Sequence, residues 1–348
     1  MKKILPFIIS LIFISCGEDK SSTSDMKNTI SMEGFWDRIG TVQIVNGVSV
    51  DTIFWSELDE KDRPTQIKAY VDGYTAWVNN GLFPNNELFK NTPWINGGGA
   101  FGKYTFNPES KNNDNMTEFV TNLTGMSVIW AENDAGAFNS VKTKGVAALK
   151  FKATLTEKNY TQLGVRDTTF NNLGSISGLG NGGNTTQYAE YYEKASNTET
   201  SKIDGVWNHI ANVNYVNKIP IDTISVPEGL ADHKIFYKGN VIVNYDFTNA
   251  QEGDDNWGGA TIAGKFNYEN NILTEDFYVG TGNWMPLGTK WPSRKYDIDW
   301  INDDSFIQIF SEVPKLDSDG NPVLDENGQI IWVEAGKESN GLLHVRVE

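Results

Sequence analysis

The clearest hydrophobic pattern in the chain is an alternation that opens two stretches of closely similar sequence. Residues 34–53 read GFWDRIGTVQIVNGVSVDTI, and residues 205–224 read GVWNHIANVNYVNKIPIDTI. In the second stretch every other residue from Trp207 to Tyr215 falls on one side of a period-2 pattern, which is typical of a half-buried β-strand. The first stretch alternates in the same way from Trp36. Each stretch therefore predicts a strand that opens a domain and directs a Trp into its core.

The repeated unit has the size of a domain. The two stretches are identical at 9 of 20 positions and lie 171 residues apart. Solenoid repeats are much shorter, about 20–50 residues. The similarity continues further along the chain, where four pairs of segments match in the same order: 67–73 with 233–239, 102–106 with 264–268, 117–118 with 274–275, and 160–162 with 306–308. The offset shrinks to 146 along the way, so the length differences fall in loops.

The alternation predicts many short strands separated by Gly- and Asn-rich turns. Candidate strands of the first unit are 35–45, 50–58, 66–72, 74–79, 99–107, 116–123, 146–155, 158–164 and 187–194. Those of the second are 206–216, 221–226, 233–238, 240–247, 259–268, 272–279, 295–301, 304–311, 329–334 and 341–347. Such a series is typical of a barrel or a sandwich, and closure into a barrel removes exposed edges. We expect an all-β protein with two tandem antiparallel up-and-down β-barrels of about eight to ten strands each.

The N-terminus predicts export. Lys2 and Lys3 precede an apolar run over 4–15, which is shorter than the roughly 20 residues that span a bilayer and is typical of a secretory signal. The end of this run, Ile14-Ser15-Cys16-Gly17, resembles the bacterial lipobox. We expect a lipoprotein signal peptide at 1–15, a lipidated flexible tether at 16–31 anchored through Cys16, and domains at 32–196 and 203–348. The alternative is an ordinary signal peptide followed by a chance cysteine.

The charge of the chain excludes some partners. The net charge is −16, and removal of the two N-terminal lysines leaves 27 basic against 45 acidic residues. This balance argues against nucleic acid and against electrostatic docking on anionic lipid. The expected partner is a membrane, contacted through the lipid on Cys16. Glu18 and Asp19 resemble acidic export signals of Bacteroidota lipoproteins, so we expect an outer-membrane lipoprotein, on the periplasmic face or the cell surface.

The order of motifs resembles the lipocalin-like domains of secreted Bacteroidota proteins, within the calycin group. The matching features are the opening G-x-W at Trp36 and Trp207, a lysine-bearing strand before a short turn, a Gly-rich strand entry, a Thr-Glu pair, and an aromatic-x-Gln strand. The resemblance implies an up-and-down barrel with a cup-like interior, but no particular ligand. In calycins a basic side chain of the last strand covers this Trp, which implies Lys194 over Trp36 and Arg346 over Trp207.

The alternation also places polar side chains inside the barrels. Arg38 and His209 follow the two tryptophans at a spacing of two, so they share the inward face. Glu275 shares a face with three apolar neighbours in its strand, and the repeat puts Glu118 at the equivalent position.

Because buried charges are costly unless they are paired, we expect Arg38 near Glu118 and His209 near Glu275. Gln162 and Gln308 are candidates to join them. Three interpretations are open: a satisfied polar cluster that fixes strand register, an anchor for a polar ligand, and general acid–base catalysis.

Tryptophans in Gly-, Pro- or Asn-rich loops form a second set of candidates: Trp94, Trp257, Trp284 and Trp291. At a barrel mouth they could stack on sugar rings or line a lipid portal. The alternative is that they fold back as a lid on the core.

Metal and cofactor sites are not predicted. The acidic segment 317–328 fails the EF-hand pattern, because Pro322 stands where Gly is needed and Gly328 stands where the bidentate Glu is needed. The three histidines share no metal-ligand spacing. The function we expect is therefore non-enzymatic binding of a small apolar or amphipathic ligand inside a barrel. The rivals are a surface glycan-binding lipoprotein that uses loop tryptophans, and a structural or interaction module without a ligand.

Overall fold

The chain folds into two closed antiparallel barrels of eight strands each, arranged in tandem. The structure is a computed structural model that describes residues 30–59, 63, 65–80, 97–125, 141, 144–164, 186–227, 232–245, 259–281, 291–318, 321, 323–326 and 330–348. The prediction of an all-β protein with two tandem barrels is confirmed. Cys16 and the segment before residue 30 lie outside the described residues.

The first sheet forms barrel 1. Its strands are β1 (Gly34–Val45), β2 (Val48–Phe54), β3 (Thr65–Val71), β4 (Tyr74–Asn80), β5 (Gly98–Phe106), β6 (Met116–Gly125), β7 (Ala147–Leu155), β8 (Asn159–Gly164) and β9 (Thr186–Lys194). Each strand from β3 to β9 pairs with the next, and β1 pairs with both β3 and β9. This pairing closes the barrel. Strand β2 pairs with the second half of β1 and extends the sheet beyond the barrel.

The second sheet forms barrel 2 with the same order. Its strands are β10 (Gly205–Val216), β11 (Ile219–Ser225), β12 (Asp232–Tyr237), β13 (Asn240–Tyr245), β14 (Ala260–Glu269), β15 (Ile272–Gly280), β16 (Arg294–Asn302), β17 (Ser305–Phe310) and β20 (Glu338–Arg346). Strand β10 closes the barrel against β20. Two short strands, β18 (Glu312–Pro314) and β19 (Trp332–Glu334), form a separate hairpin between β17 and β20.

The strand predictions differ from the structure mainly at the ends of elements. The strand expected over 50–58 ends at Phe54, and a 3-10 turn follows at Trp55–Glu57. The strand expected over 329–334 is only β19, and its partner β18 was not predicted. A three-residue strand is too short to show an alternation that sequence alone could reveal.

The two ends of each barrel differ in the length of their connections. Two-residue turns join β3 to β4 and β12 to β13, at the end where β1 and β10 begin. The connections 81–97, 126–146 and 165–185 join strands at the opposite end of barrel 1, and 246–259, 281–293 and 311–337 do so in barrel 2. We call these the turn end and the loop end. Both opening tryptophans lie at the turn end.

The barrels pack side by side through an apolar cluster to which both contribute. Outward side chains of barrel 1, including Phe35, Ala76 and Phe101, meet those of barrel 2, including Ile242 and Ala263. Such a shared core holds two barrels together as interior packing does within one.

Buried polar side chains fix this contact in register. Asn122 donates to Asn244, and the hydroxyls of Thr124 and Thr261 lie 2.7 Å apart. A β-carbon on Gly99 would stand 2.3 Å from the Thr261 hydroxyl, so this close approach requires glycine. The rings of Phe101 and His233 stack at 4.0 Å, and burial lowers the pKa of His233 to about 4.

No helix among the described residues is long and apolar enough to cross a membrane.

Candidate functional site in the barrel interiors

Each barrel is closed at the turn end by a buried tryptophan. Trp36 and Trp207 are both 0% exposed. Their indole N–H groups donate at 2.8 Å to the carbonyls of Met32 and Ile203, four residues earlier. In each barrel the segment that precedes the first strand therefore closes the turn end together with this tryptophan. We call the tryptophan and this segment the floor of the barrel.

A basic side chain of the last strand lies over each of these rings. Lys194 Nζ is 5.1 Å from the ring centre of Trp36, and Arg346 Cζ is 4.2 Å from that of Trp207. These cation–π contacts confirm the arrangement that the calycin resemblance implied.

Above the floor, each barrel holds a buried lysine, glutamate and glutamine, which we call the triad. The triad of barrel 1 is Lys68, Glu118 and Gln162, and that of barrel 2 is Lys234, Glu275 and Gln308. None of the six is more than 3% exposed.

Hydrogen bonds from the lysine join each triad. Lys68 Nζ donates to Glu118 Oε1 at 3.0 Å and to Gln162 Oε1 at 3.1 Å. Lys234 Nζ makes the same two bonds at 3.1 and 2.8 Å. Each buried carboxylate is thus paired with a buried ammonium, which offsets the cost of removing both from water.

Arg38 does not pair with Glu118, contrary to the sequence-based expectation. Its guanidinium bonds Gln66 Oε1 at 2.9 Å and Glu190 Oε1 at 3.0 Å, and it lies 4.8 Å from the Trp55 ring centre. Arg38 is the next inward residue after Trp36 on β1, so it lies nearer the loop end than the triad. There a β-bulge between Arg38 and Gly40 shifts the pairing with β9. Lys68 already occupies the position beside Glu118.

His209 does not pair with Glu275 either. Its Nε2 lies 3.0 Å from the carbonyl oxygen of Ala211, so this nitrogen carries the proton and donates it. Its Nδ1 faces Asp232 Oδ2 at 3.3 Å, although this contact lacks hydrogen-bond geometry. As in barrel 1, the triad lysine holds the glutamate.

The two lysines are the functional candidates that the sequence analysis missed. A usable signal was present, because the repeat aligns Lys68 with Lys234. The period-2 pattern also puts each lysine on the same face as an inward aromatic residue, Tyr70 or Phe236. Lysine is seldom fully buried, so a lysine repeated on an inward face indicates a buried ion pair.

A tyrosine network surrounds the triad of barrel 1. Tyr70 OH donates to Glu118 Oε1 at 2.7 Å, and Tyr192 OH donates to Glu190 Oε2 at 2.7 Å. Burial, reinforced by these carboxylates, raises the pKa of both tyrosines well above its usual value. Burial also acts to raise the pKa of Glu190, but Arg38 and Lys68 outweigh it, and the pKa is lowered. The tyrosines are therefore neutral donors and Glu190 is an anion.

Barrel 2 has phenylalanine and histidine side chains where barrel 1 has the tyrosines of this network. Strand register aligns Tyr70 with Phe236, Tyr160 with Phe306 and Tyr192 with His344. His344 is 0% exposed, and neither of its ring nitrogens has a hydrogen-bond partner. Burial, together with the nearby Lys234 and His209, lowers the pKa of His344 well below its usual value. The ring is therefore neutral at pH 7.

Barrel 1 has unpartnered polar atoms of its own. Glu118 Oε2, Thr75 Oγ1 and Trp77 Nε1 are buried and have no hydrogen-bond partner. In barrel 2, Glu275 Oε2 accepts from Gln308 Nε2 at 3.4 Å, and register places Val241 and Val243 where barrel 1 has Thr75 and Trp77. Because a buried polar atom without a partner is costly, these positions are candidate contacts for a bound molecule or an ordered water.

The structure describes only one of the four loop tryptophans. Trp94, Trp257 and Trp284 lie outside the described residues. Trp291 packs against the core of barrel 2, with its ring 6.1 Å from that of Phe277. This position fits a side chain folded back on the core.

Among the described residues there is no group of three or more His, Cys, Asp or Glu side chains that could hold a metal ion. Parts of the acidic segment 317–328 lie outside those residues.

The chain was also compared with known proteins. No family model matches it, and no curated protein is similar to it. Among solved structures, it is similar to a protein of unknown function of the DUF3598 family from Nostoc punctiforme, with 9% sequence identity and a TM-score of 0.20. The alignment covers 91% of this chain and 96% of the other. A likeness at this level indicates nothing about function.

Proposed function

We propose that the chain is a non-enzymatic binding protein that takes a small ligand with an apolar body and a polar group into a barrel interior. The observation that supports this most is the set of buried, unpartnered polar atoms beside the triads. They lie partway up interiors that are otherwise lined by aromatic and aliphatic side chains. Small-molecule sites are typically mostly apolar with a few polar groups, and the barrel interiors share that composition.

The two barrel ends indicate how a ligand enters. The turn end is occupied by Trp36 or Trp207 and the segment bonded to it. Entry is therefore proposed from the loop end, where the long connections lie. The proposed entry is the one expected for the cup-like interior that the resemblance to lipocalin-like domains implies.

The interior groups favour binding over catalysis. Each triad lysine is held by an adjacent carboxylate and amide, and the tyrosines of barrel 1 are neutral donors. Hydrogen bonding and ion pairing account for these contacts without a nucleophile or a proton-transfer step.

The position of the protein in the cell belongs to the same proposal. The sequence favours a lipid on Cys16 that holds the barrels at the outer membrane. Metabolic labelling with palmitate should mark the full chain and not its Cys16→Ser variant. Labelling that persists in the variant would contradict the anchor.

The experiment that tests binding is a titration of the purified chain with a fatty acid, a retinoid and an oligosaccharide, followed by tryptophan fluorescence and native mass spectrometry. We expect saturable quenching and a mass shift of one or two ligands with an amphipathic compound. A shift with the oligosaccharide alone would favour the glycan-binding rival. No shift with any compound would favour a structural or interaction module.

A further inference from the structure

The geometry points to barrel 1 as the barrel that binds, and to an uncharged head group that both donates and accepts hydrogen bonds, such as a primary amide or a hydroxyl group. This inference rests on the proposed function and assigns its site and ligand chemistry. The site is the inner wall formed by β4, β5 and β6. Its polar atoms are Thr75 Oγ1, Trp77 Nε1 and Glu118 Oε2.

Strand register brings these three atoms to one wall. Tyr70 is paired with Thr75 and Lys68 with Trp77, so both β4 side chains face inward beside the triad. Glu118 lies on β6, and its Oε1 accepts from both Lys68 and Tyr70. The ammonium of Lys68 is 6.0 Å from the Trp77 ring centre. Glu118 therefore belongs to the ion pair, Trp77 lies beside it, and Thr75 is two residues nearer the turn end on β4.

Strand β5, which lies between them, carries small side chains at the matching positions. Register pairs Trp77 with Ala100 and Thr75 with Gly102. A β-carbon on Gly102 would stand 2.0 Å from the carbonyl oxygen of Phe119, so no larger residue fits there. Strand β5 therefore presents nothing larger than a methyl group beside Thr75 and Trp77.

The atoms define what a head group must offer. Glu118 Oε2 needs a donor, the Trp77 indole N–H needs an acceptor, and the Thr75 hydroxyl can take either role. A primary amide or a hydroxyl group satisfies both requirements. An apolar group would leave all three atoms unpaired, at the cost of desolvation without compensation.

The charges inside barrel 1 favour a neutral ligand. Arg38 and Lys68 balance Glu190 and Glu118, through ion pairs of 3.0 Å for Arg38 with Glu190 and 3.0 Å for Lys68 with Glu118. A carboxylate or an ammonium on the ligand would enter as an unpaired buried charge.

Barrel 2 is the matched comparison. It keeps the triad but has valines in place of Thr75 and Trp77, and both oxygens of Glu275 are hydrogen-bonded. Its own unpartnered interior atoms are both ring nitrogens of His344 and Nδ1 of His209, on the opposite wall, where the two histidine rings lie 5.6 Å apart. His344 is therefore the site that competes with this inference.

The test uses the full chain and four probes of equal length: octanamide, octanol, octanoate and octylammonium. Thr75→Val and Trp77→Phe each remove one polar atom and keep most of the side-chain volume. We expect each to weaken octanamide binding about 3- to 10-fold, the usual range for one hydrogen bond. The nearly isosteric Thr75→Val should do so without lowering the unfolding midpoint of the free protein. His344→Phe should leave the affinity unchanged. Octanoate and octylammonium should bind more weakly than octanamide.

The outcomes separate this inference from the proposed function. If the probes bind and only His344→Phe weakens them, the function stands and the assignment to barrel 1 is wrong. If octanoate or octylammonium binds more tightly than octanamide, the neutral head group is wrong. If no probe binds, both the inference and the proposed function fail. The unpartnered atoms of Thr75, Trp77 and Glu118 would then contact only water.

A measurement on the unmodified chain covers the case in which a variant does not fold. The indole N–H signal of Trp77, assigned through its connection to the Trp77 backbone, should move in a ¹⁵N–¹H spectrum when octanamide is added. An unmoved signal at saturating octanamide would overturn the inference.

Discussion

Barrel 1 and barrel 2 share a framework and differ in how they satisfy the polar atoms inside it. Both have a tryptophan floor, a basic residue over that floor, and a lysine–glutamate–glutamine triad. Barrel 1 surrounds its triad with tyrosine hydroxyls, whereas barrel 2 uses phenylalanines and one unpartnered histidine. The triad is therefore the part that the fold needs, and the residues around it are the part that each barrel has specialised.

The largest expected effect comes from the triad itself. Lys68→Met and Lys234→Met each leave a buried glutamate without its ammonium, and we expect a loss of about 3–5 kcal/mol in the free energy of unfolding for either. Urea denaturation measures both. The double variant Lys68→Met/Glu118→Leu should recover most of the loss. A small effect in one barrel only would contradict a shared structural role.

Acid should act on barrel 2 more than on barrel 1. The folded-state pKa of His344 is depressed, so its contribution to stability is complete above the unfolded pKa of about 6.5 and is lost as the pH falls below it. We expect His344→Phe to reduce the acid-side slope of unfolding free energy against pH by up to about 1.4 kcal/mol per pH unit.

Tyr192→Phe, at the equivalent position of barrel 1, is the control and should leave the slope unchanged between about pH 5 and 6.5; at lower pH it also removes the hydrogen bond that helps to lower the pKa of Glu190. His233 at the contact between the barrels, with a pKa of about 4, adds a slope of the same sign that both variants retain. An unchanged acid slope in His344→Phe would show that His344 is not a buried neutral ring.

Removal of one tyrosine hydroxyl should make barrel 1 resemble barrel 2. Tyr70→Phe removes the donor to Glu118 and reproduces the phenylalanine of barrel 2. We expect a loss of about 1.5–3 kcal/mol, the range for hydrogen bonds to charged groups. Thermal unfolding with calorimetry measures it. A stability at or above that of the unmodified chain would show that the tyrosine bond contributes nothing net.

The smallest effect should come from the two floors. Arg346 lies nearer its tryptophan than Lys194 does, at 4.2 against 5.1 Å, and also donates to the Asp204 carbonyl at 3.0 Å. Arg346→Met should therefore cost about 1–2 kcal/mol and Lys194→Met about 0.5–1 kcal/mol. The reverse order in urea denaturation would contradict the geometric comparison.

The sequence predicts the fold well because each strand carries its own alternation and the repeat supplies a second copy of the evidence. It predicts the inward face of Glu118 and Glu275 for the same reason. It does not predict their partners, because pairing across a barrel depends on the stagger of the strands and on bulges such as that after Arg38. Arg38 therefore bonds Glu190, and Lys68 reaches the glutamate instead. The unpartnered atoms of Thr75 and Trp77 also depend on packing that no local pattern encodes.

The most direct test of the account is native mass spectrometry of the unmodified chain titrated with octanamide. We expect a saturable mass shift of one ligand per chain that Thr75→Val weakens and His344→Phe does not. A chain that stays at its free mass across the titration, while it remains folded by circular dichroism, would contradict the claim that a barrel interior binds a small amphipathic molecule.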